Sequence, residues 1–383
     1  MTIFLLSFFA IYGGVHTYLL CKVKGAFSLR GRGICLLSLW AMLMIAAPIA
    51  VRLLVRAGFA EVARPLAYTA YGWMGLLFYF VVIGLLSDGV VVVARLFSRF
   101  GRRKVLIRWS DRRLVLVSIL LPFLLVAYGF FEARTVGLER VVLPTGKLPA
   151  GVARLKIVQI SDLHLGLLIG QDRLRIVVEK IRQADPDILV ATGDLVDGQG
   201  NNFTELARLL GEIRPKHGKF AVLGNHEFYA GLSHSLHFFK QAGFVVLRNQ
   251  AQMVAGELVI AGVDDQRVAT WPKGDLGAEA QLMAGLGGQA RFVLFLKHRP
   301  QVEAASLGHF DLQLSGHVHQ GQLFPFGMVV GWFYPFPVGV LHALAEGYIY
   351  VSRGAGTWGP PIRVLAPPEV TLIELVAAPG VAR

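Results

Sequence analysis

Four nearly uninterrupted apolar stretches, residues 2–20, 34–54, 66–93 and 114–131, crowd the front of the chain. About 20 consecutive apolar residues carry an α-helix across a bilayer. A backbone in lipid must satisfy its own hydrogen bonds, which restricts such segments to helices. Pro48 and Pro122 lie inside two of the stretches, where neighbouring helices tolerate them, and Asp88 lies near one end of the third. No Lys or Arg precedes Lys22, so the first stretch reads as a retained helix, not a signal peptide. The expectation is a bundle of four transmembrane helices over residues 1–134, a linker over 135–154 marked by Pro144, Gly146, Pro149 and Gly151, and a separate domain over 155–383.

The net charge of +13 invites a nucleic-acid partner until it is located. Residues 1–150 carry 18 Lys and Arg against 5 Asp and Glu, while residues 151–383 carry 20 of each. A nucleic-acid-binding domain shows a basic face of its own. Here the whole surplus flanks the apolar stretches, so the expected partner is a lipid bilayer and no nucleic acid. Lys22, Lys24, Arg30 and Arg32 sit in the first connection, and Arg95, Arg99, Arg102, Arg103, Lys104, Arg108, Arg112 and Arg113 in the third. The second has only Arg52, Arg56 and Arg64. Excess Lys and Arg in short connections marks the cytoplasmic side. A multi-pass protein with both ends and the second domain outside the cytoplasm follows. The four stretches hold hardly any ionisable residue besides Asp88 and His16, which argues against a transporter.

The second half alternates strand-like and helix-like segments. Strand-like runs cover 155–161, 187–192, 219–223, 291–296 and 311–315, and helical spacing covers 172–183, 202–213 and 232–242. Further strands read at 244–247, 257–263, 348–353 and 369–375. Alternation followed by strands favours a layered α/β domain. Directly after the first five runs come Asp162-Leu-His164, Gly193-Asp194, Gly224-Asn225-His226-Glu227, Lys297-His298-Arg299-Pro300 and Gly316-His317-Val318-His319. Ligands bind outside the carboxyl ends of strands in such sheets. The blocks therefore line up two aspartates, one asparagine and several histidines on one rim. Oxygen and imidazole donors at that density suit a pair of divalent transition metals better than a single structural zinc. Asp162 and His164, like His317 and His319, are two apart and would point the same way from an extended segment. The only cysteines, Cys21 and Cys35, edge the apolar stretches, so no thiol serves the second domain.

These five blocks, in this order, resemble the calcineurin-like metallophosphoesterase superfamily from about residue 156 to about 375. Gly321-Gln322, the run Tyr350 to Thr357, Pro360-Pro361-Ile362-Arg363 and Pro367-Pro368-Glu369 are similar to the membrane-associated branch related to UDP-2,3-diacylglucosamine hydrolases, although Gln320 stands where that branch usually has glycine. The resemblance implies an αββα sandwich and two divalent ions, Mn, Fe or Zn. It implies that Asp162, His164, Asp194 and His319 hold one ion, and Asp194, Asn225, His298 and His317 the other, with Asp194 bridging. His226 resembles the family's catalytic histidine that is not a ligand. Asp197 reads as a turn residue with Gly198 or as the partner that orients a ligand, and Glu227 as orienting His226 or beginning the next turn.

Two other features weigh on substrate. Residues 323–341 are strongly apolar, and their prolines and glycines rule out a spanning helix. They read either as a core-packed loop or as a rim, with Trp332 and Tyr334, that touches the bilayer or grips acyl or isoprenoid chains. Gly354-Ala355-Gly356-Thr357-Trp358-Gly359 matches a dinucleotide fingerprint, but Pro360-Pro361 follows where a helix must start, so the glycines are expected to let a loop pass close to the metals. No G-x-x-x-x-G-K-[ST] and no G-x-S-x-G occur. The reading is a membrane-anchored phosphoesterase for a phosphodiester or pyrophosphate of a phosphorylated lipid or envelope substrate. The alternatives are a UDP-2,3-diacylglucosamine pyrophosphate hydrolase facing the cytoplasm, and a scaffold or sensor with a vestigial metal site.

Overall fold

The computed structural model describes residues 2–100, 111–149, 151–198, 203–256, 258–265, 277–286 and 291–378, which divide into two compact units. Arg102, Arg103, Lys104 and Arg108 of the third connection lie outside the described residues.

One unit comprises residues 1–131 with 359–362. Its helices are α1 (Thr2–Phe27), α2 (Arg32–Arg56), α3 (Ala60–Phe100) and α4 (Arg112–Glu132). All four are long and apolar enough to cross a membrane. They run past the apolar stretches, so Lys22, Lys24 and Arg95 sit on helical extensions instead of in loops. Small side chains let α2 and α3 approach, with Ala47 and Ala70 buried beside Met44, and Tyr12 and Leu19 of α1 pack on Leu77 and Phe80 of α3. Leu36, Met42, Leu86, Phe97 and Leu124 remain exposed, the pattern of a bundle whose outer face meets lipid.

The other unit is an αββα sandwich. Its first sheet runs β1-β14-β2-β4-β6-β7, with β1 at Gly137–Thr145, β14 at Glu369–Ala377 and β7 at Val245–Val246. Its second runs β12 (Leu341–Ala343), β13 (Tyr348–Val351), β11, β10, β9 (Leu258–Gly262) and β8 (Gln250–Val254), while β3 (Leu165–Gly166) and β5 (Val196–Asp197) pair with each other. The strands that carry the blocks are β2 (Arg154–Ile160), β4 (Ile188–Thr192), β6 (Lys219–Val222), β10 (Val293–Leu296) and β11 (Leu312–Ser315). β2, β4 and β6 are parallel neighbours, as are β10 and β11, so their carboxyl ends share a rim within each sheet. Alternation assigns the layers. Ile157, Val190, Val222, Ile260, Leu294 and Leu314 face inward between the sheets. Val158, Leu189 and Ala221 face outward under α5 (Gln171–Ala184), α6 (Phe203–Gly211) and α8 (Leu232–Gln241). Val259, Ala261, Val293 and Phe295 pack outward with Met283 of α9 (Ala278–Ala284).

Two sequence expectations change here. The stretch 135–154, read as a linker, contains the nine-residue strand β1 (Gly137–Thr145), parallel to β14 (Glu369–Ala377). It is an edge strand, where charged residues and a proline near the end are tolerated, and those residues made it resemble a linker. Residues 323–341 are not a core-packed loop throughout. They include α10 (Phe326–Phe333), which has no fully buried residue. Val330 and Tyr334 pack on Val318 and Ile349, while Phe324, Phe326, Met328, Trp332 and Phe333 are exposed, Trp332 by 81%.

Candidate metal centre

Each block begins where a strand stops, and in three of the five the backbone turns into an uncommon conformation. Asp162, His164, Asp194, His317 and His319 all have φ between 49° and 73°, the left-handed region that non-glycine residues rarely adopt. The paired residues of D-x-H and H-x-H therefore do not stand on extended tips. Each pair is bent inward by backbone conformations that cost energy and persist only where surrounding structure enforces them. Gly193 shows that enforcement. Its φ is +90°, and a side chain there would run into the Gly224 backbone nitrogen at 2.6 Å and His298 Nδ1 at 2.7 Å.

The turns bring six donor residues into one buried cluster. Asp162, His164 and His319 form one group, and Asp194, His298 and His317 another, with donor atoms in each group within 4.8 Å of one another. His164 Nε2 and His319 Nε2 are 3.0 Å apart. His298 Nε2 is 3.1 Å from both Asp194 Oδ2 and His317 Nδ1. His298 donates Nδ1–H to the Thr192 carbonyl at 2.8 Å, which turns Nε2 toward the cluster. Asn225, the seventh expected ligand, opens the short helix α7 (Asn225–Ala230), and its Oδ1 is buried without a hydrogen-bond partner.

Electrostatics fit a cation. Burial holds His164 down to about 4. Burial, followed by the charges of His298 and Arg299, holds His317 well below the usual imidazole range, and burial with His164 and Arg363 does the same for His319. These imidazoles stay neutral and offer lone pairs. Burial opposes charge on Asp194, but His298 outweighs it and keeps the carboxylate ionised. Burial alone would also lower His298, yet the neighbouring Asp194 raises it. Three neutral imidazoles, an ionised carboxylate that holds the His298 proton, and an orphaned amide oxygen together suit a divalent transition metal, which would take the place of that proton.

His226 lies beside this cluster and is held differently. Its backbone N–H donates to Asp194 Oδ1 at 2.8 Å, and its Nδ1 is 3.0 Å from Asp197 Oδ1. Burial disfavours its imidazolium, but the hydrogen bond to Asp197 prevails and raises its pKa. His226 also lies within donor reach of His164 and Asp194, so a three-residue group including it is geometrically open. The Asp197 partner argues for a proton carrier, because it stabilises the charged, lone-pair-free form.

Glu227 does not touch that imidazole. Its carboxylate accepts the backbone N–H groups of Asp194, Val196 and Gly224 at 2.8–3.0 Å, tying the Asp194 turn to α7. Asp197 orients His226 instead. Tyr334 Oη lies 3.2 Å from Arg299 Nη1, and its ring centroid is 5.6 Å from that of His317, whereas Trp332 projects from α10 into solvent. Gly354 and Gly356 do let their loop pass close: added side chains would meet Asp162 Cβ at 2.7 Å and the Leu163 carbonyl.

Sequence reasoning passed over several neighbours. Arg299 is held by Asp265 at 2.8 Å and reaches His317 Nε2 at 2.9 Å. The fully buried Arg363 places Nη2 3.1 Å from His319 Nδ1 and donates to the carbonyls of Arg353, Gly356 and Ala366. Tyr229 and Trp358 pack against His226. Arg299, Arg363 and Trp358 stand inside motifs quoted above, and Tyr229 lies three residues after His226 and so on the same helical face.

Against known proteins, the calcineurin-like phosphoesterase family profile matches residues 155–321. A metallophosphoesterase of Aquifex aeolicus (strain VF5) is 41% identical over 253 residues, covering 66% of this chain and 96% of that protein. A Danio rerio protein named transmembrane protein with metallophosphoesterase domain is 29% identical over 319 residues, covering 79% and 71%. Among solved structures, the 5′-nucleotidase precursor of Thermus thermophilus aligns with a TM-score of 0.36 and 16% identity, covering 60% of this chain and 55% of that one.

Proposed function

This chain belongs to the calcineurin-like metallophosphoesterases, and we propose that within them it hydrolyses a phosphodiester or pyrophosphate of a lipid-linked or cell-envelope substrate on the extracytoplasmic side. The observation that carries the reading is the meeting of two features in one unit: a buried donor cluster, and an exposed apolar helix that reaches it through Tyr334. Asp162, His164, Asp194 and His319 would hold one divalent ion and Asp194, Asn225, His298 and His317 the other. Bound there, the pair would acidify water and neutralise phosphoryl charge.

The chain's own groups do the rest. Asp194 would serve both ions, and Glu227 keeps its turn in place by accepting three backbone N–H groups. His226, oriented by Asp197 and made more basic by it, gives its proton to the leaving oxygen as the bond to phosphorus breaks. Exposed Phe324, Phe326, Trp332 and Phe333 supply an apolar surface for acyl or isoprenoid chains or for the bilayer itself.

Sidedness follows from the 12 Lys and Arg of the first and third connections against 3 in the second. A reporter fused after Arg383 that works only outside the cytoplasm should be active. A silent one, with an active cytoplasmic reporter in its place, would move the site inside and favour UDP-2,3-diacylglucosamine pyrophosphate as substrate. The substrate is tested by mass spectrometry of membrane lipids from cells lacking the protein, where a phosphorylated lipid should accumulate. Unchanged lipids would overturn the lipid-linked reading.

A further inference from the structure

We infer that Tyr229 and Trp358 form a ring-binding subsite on the leaving-group side of the centre, for a phosphoester whose leaving group carries a nucleobase or a sugar. The inference rests on the reading of His226 as the proton donor.

Two large aromatic side chains stand exposed beside a buried histidine. Tyr229 is 65% exposed and Trp358 57%, yet their ring centroids lie 5.4 Å and 5.6 Å from that of His226, at interplanar angles of 70° and 75°. Neither ring is spent on the core. Trp358 is exposed without being loose. Its backbone N–H donates to Gln322 Oε1 at 2.9 Å, and its carbonyl accepts from Gln322 Nε2 at 3.0 Å. Gln322 lies three residues after His319, so one side-chain amide ties the loop bearing the indole to the loop bearing a metal donor. Tyr229 is fixed by sharing α7 with His226. An aromatic face held in place and left open is what stacks on a nucleobase or on the C–H face of a sugar, and such stacking tolerates varied ring identity.

The proton fixes which part of the substrate these rings meet. In the hydrolysis proposed above, a water molecule gives one proton to solvent as its oxygen forms the new bond to phosphorus, the bond to the leaving oxygen breaks, the His226 proton passes to that oxygen, and His226 regains a proton from solvent. A general acid must lie within hydrogen-bond reach of the atom it protonates. Rings packed on the His226 imidazole therefore border the leaving group. The apolar α10 reaches the centre elsewhere, through Tyr334 beside His317. Ring and chain are served by different residues, which fits a substrate with a ring on one ester and an apolar chain on the other.

The test uses the full-length protein loaded with manganese and three methyl phosphodiesters, of uridine (5′), glucose (6) and hexanol, with products identified so that the broken bond is known. Release of uridine or glucose should exceed release of hexanol roughly tenfold in kcat/KM, the size of one stacking contact. Trp358→Ala and Tyr229→Ala should erase that preference. Trp358→Phe and Tyr229→Phe should keep it, and Trp358→Leu, which retains bulk without a flat face, should not. The uridine and glucose arms separate a nucleobase from a sugar. Calorimetric binding of uridine 5′-monophosphate and glucose 6-phosphate reads the subsite without turnover and should weaken about tenfold in the alanine variants for whichever ring is preferred. Equal kcat/KM on all three diesters, or equal loss on all three in the alanine variants, overturns the subsite. If none is cleaved by metal-loaded protein, the phosphodiesterase reading fails, and the calorimetry still decides the ring.

Discussion

Among the four helices, two groups of polar side chains close on one another, although Tyr12 Oη is buried without a hydrogen-bond partner. His16 faces the Tyr12 carbonyl through Nδ1 at 2.7 Å and accepts from Trp73 Nε1 through Nε2 at 2.9 Å. Asp88 takes Tyr18 at 2.8 Å and Lys22 as an ion pair. In the α/β unit, by contrast, Asp162, Asp194 and four histidines aim donor atoms at one another, and Asn225 Oδ1 has no partner. Buried polar groups are nearly always satisfied, so the two patterns mean different things. Closed pairs join α1 to α3, since His16 and Tyr18 lie on one and Trp73 and Asp88 on the other. Three imidazoles held neutral, two carboxylates and an amide oxygen that converge on one place call for a cation. Burial of polar groups is common to both units, and the number of donor atoms that converge on one place is what separates assembly from chemistry.

The contrast breaks first at Asp194. If the α/β cluster needs cations, Asp194→Ala should abolish phosphodiester hydrolysis and release both ions, more completely than any other single replacement. Elemental analysis of the purified variant decides it, and wild-type metal content would sink the bridging role. His226→Ala comes next, with a rate loss of roughly 10²–10⁴-fold, the span of a general acid–base group. Its metal content should match wild type, unlike that of His317→Ala. Loss of an ion from His226→Ala would make it a ligand, in line with its proximity to His164 and Asp194.

Much of the α/β unit was legible because its signals are local. The five strand ends and their donors occupy consecutive residues, and the helices at 172–183 and 232–242 shift by only a residue at each end. The four apolar helices were equally plain, since length and hydrophobicity alone decide them. What escaped depends on partners distant in sequence. β1 exists because β14, more than 220 residues later, gives it an edge to pair with. The choice between the two roles left open for Asp197 and for Glu227 depended on elements distant in sequence, since Asp197 meets the His226 imidazole while Glu227 starts α7 and holds the Asp194 turn. The inward bend of Asp162, His164, His317 and His319 is a backbone conformation that residue spacing cannot express.

The exposed face of α10 sharpens the comparison at smaller scale. An apolar surface outside lipid-spanning helices is useful only if something apolar covers it. Replacing Phe324, Trp332 and Phe333 with Ser in the intact protein should lower the rate on lipid-embedded substrate about tenfold more than on a small water-soluble diester. Fully burying one such side chain is worth roughly 1.5–3 kcal/mol, and partial engagement of three reaches that range. Equal loss on both substrates would make α10 ordinary packing.

The smallest catalytic effect is expected where the closed sets lie. Lys22 and Asp88 have side chains only 10% and 13% exposed. Removing one member of a buried pair strands the other, at about 3–5 kcal/mol, whereas replacing both with apolar residues of similar size is often neutral or better. Asp88→Leu should therefore lower the unfolding temperature of the detergent-purified protein by on the order of 10 °C. Adding Lys22→Met should recover most of that loss. Turnover of a soluble phosphodiester, measured well below either unfolding temperature, should match wild type in both variants, because the pair joins helices and touches no donor of the metal cluster. A drop in turnover that persists in the stability-restored double variant would mean the pair acts in catalysis, and the division between assembly in one unit and chemistry in the other would fall.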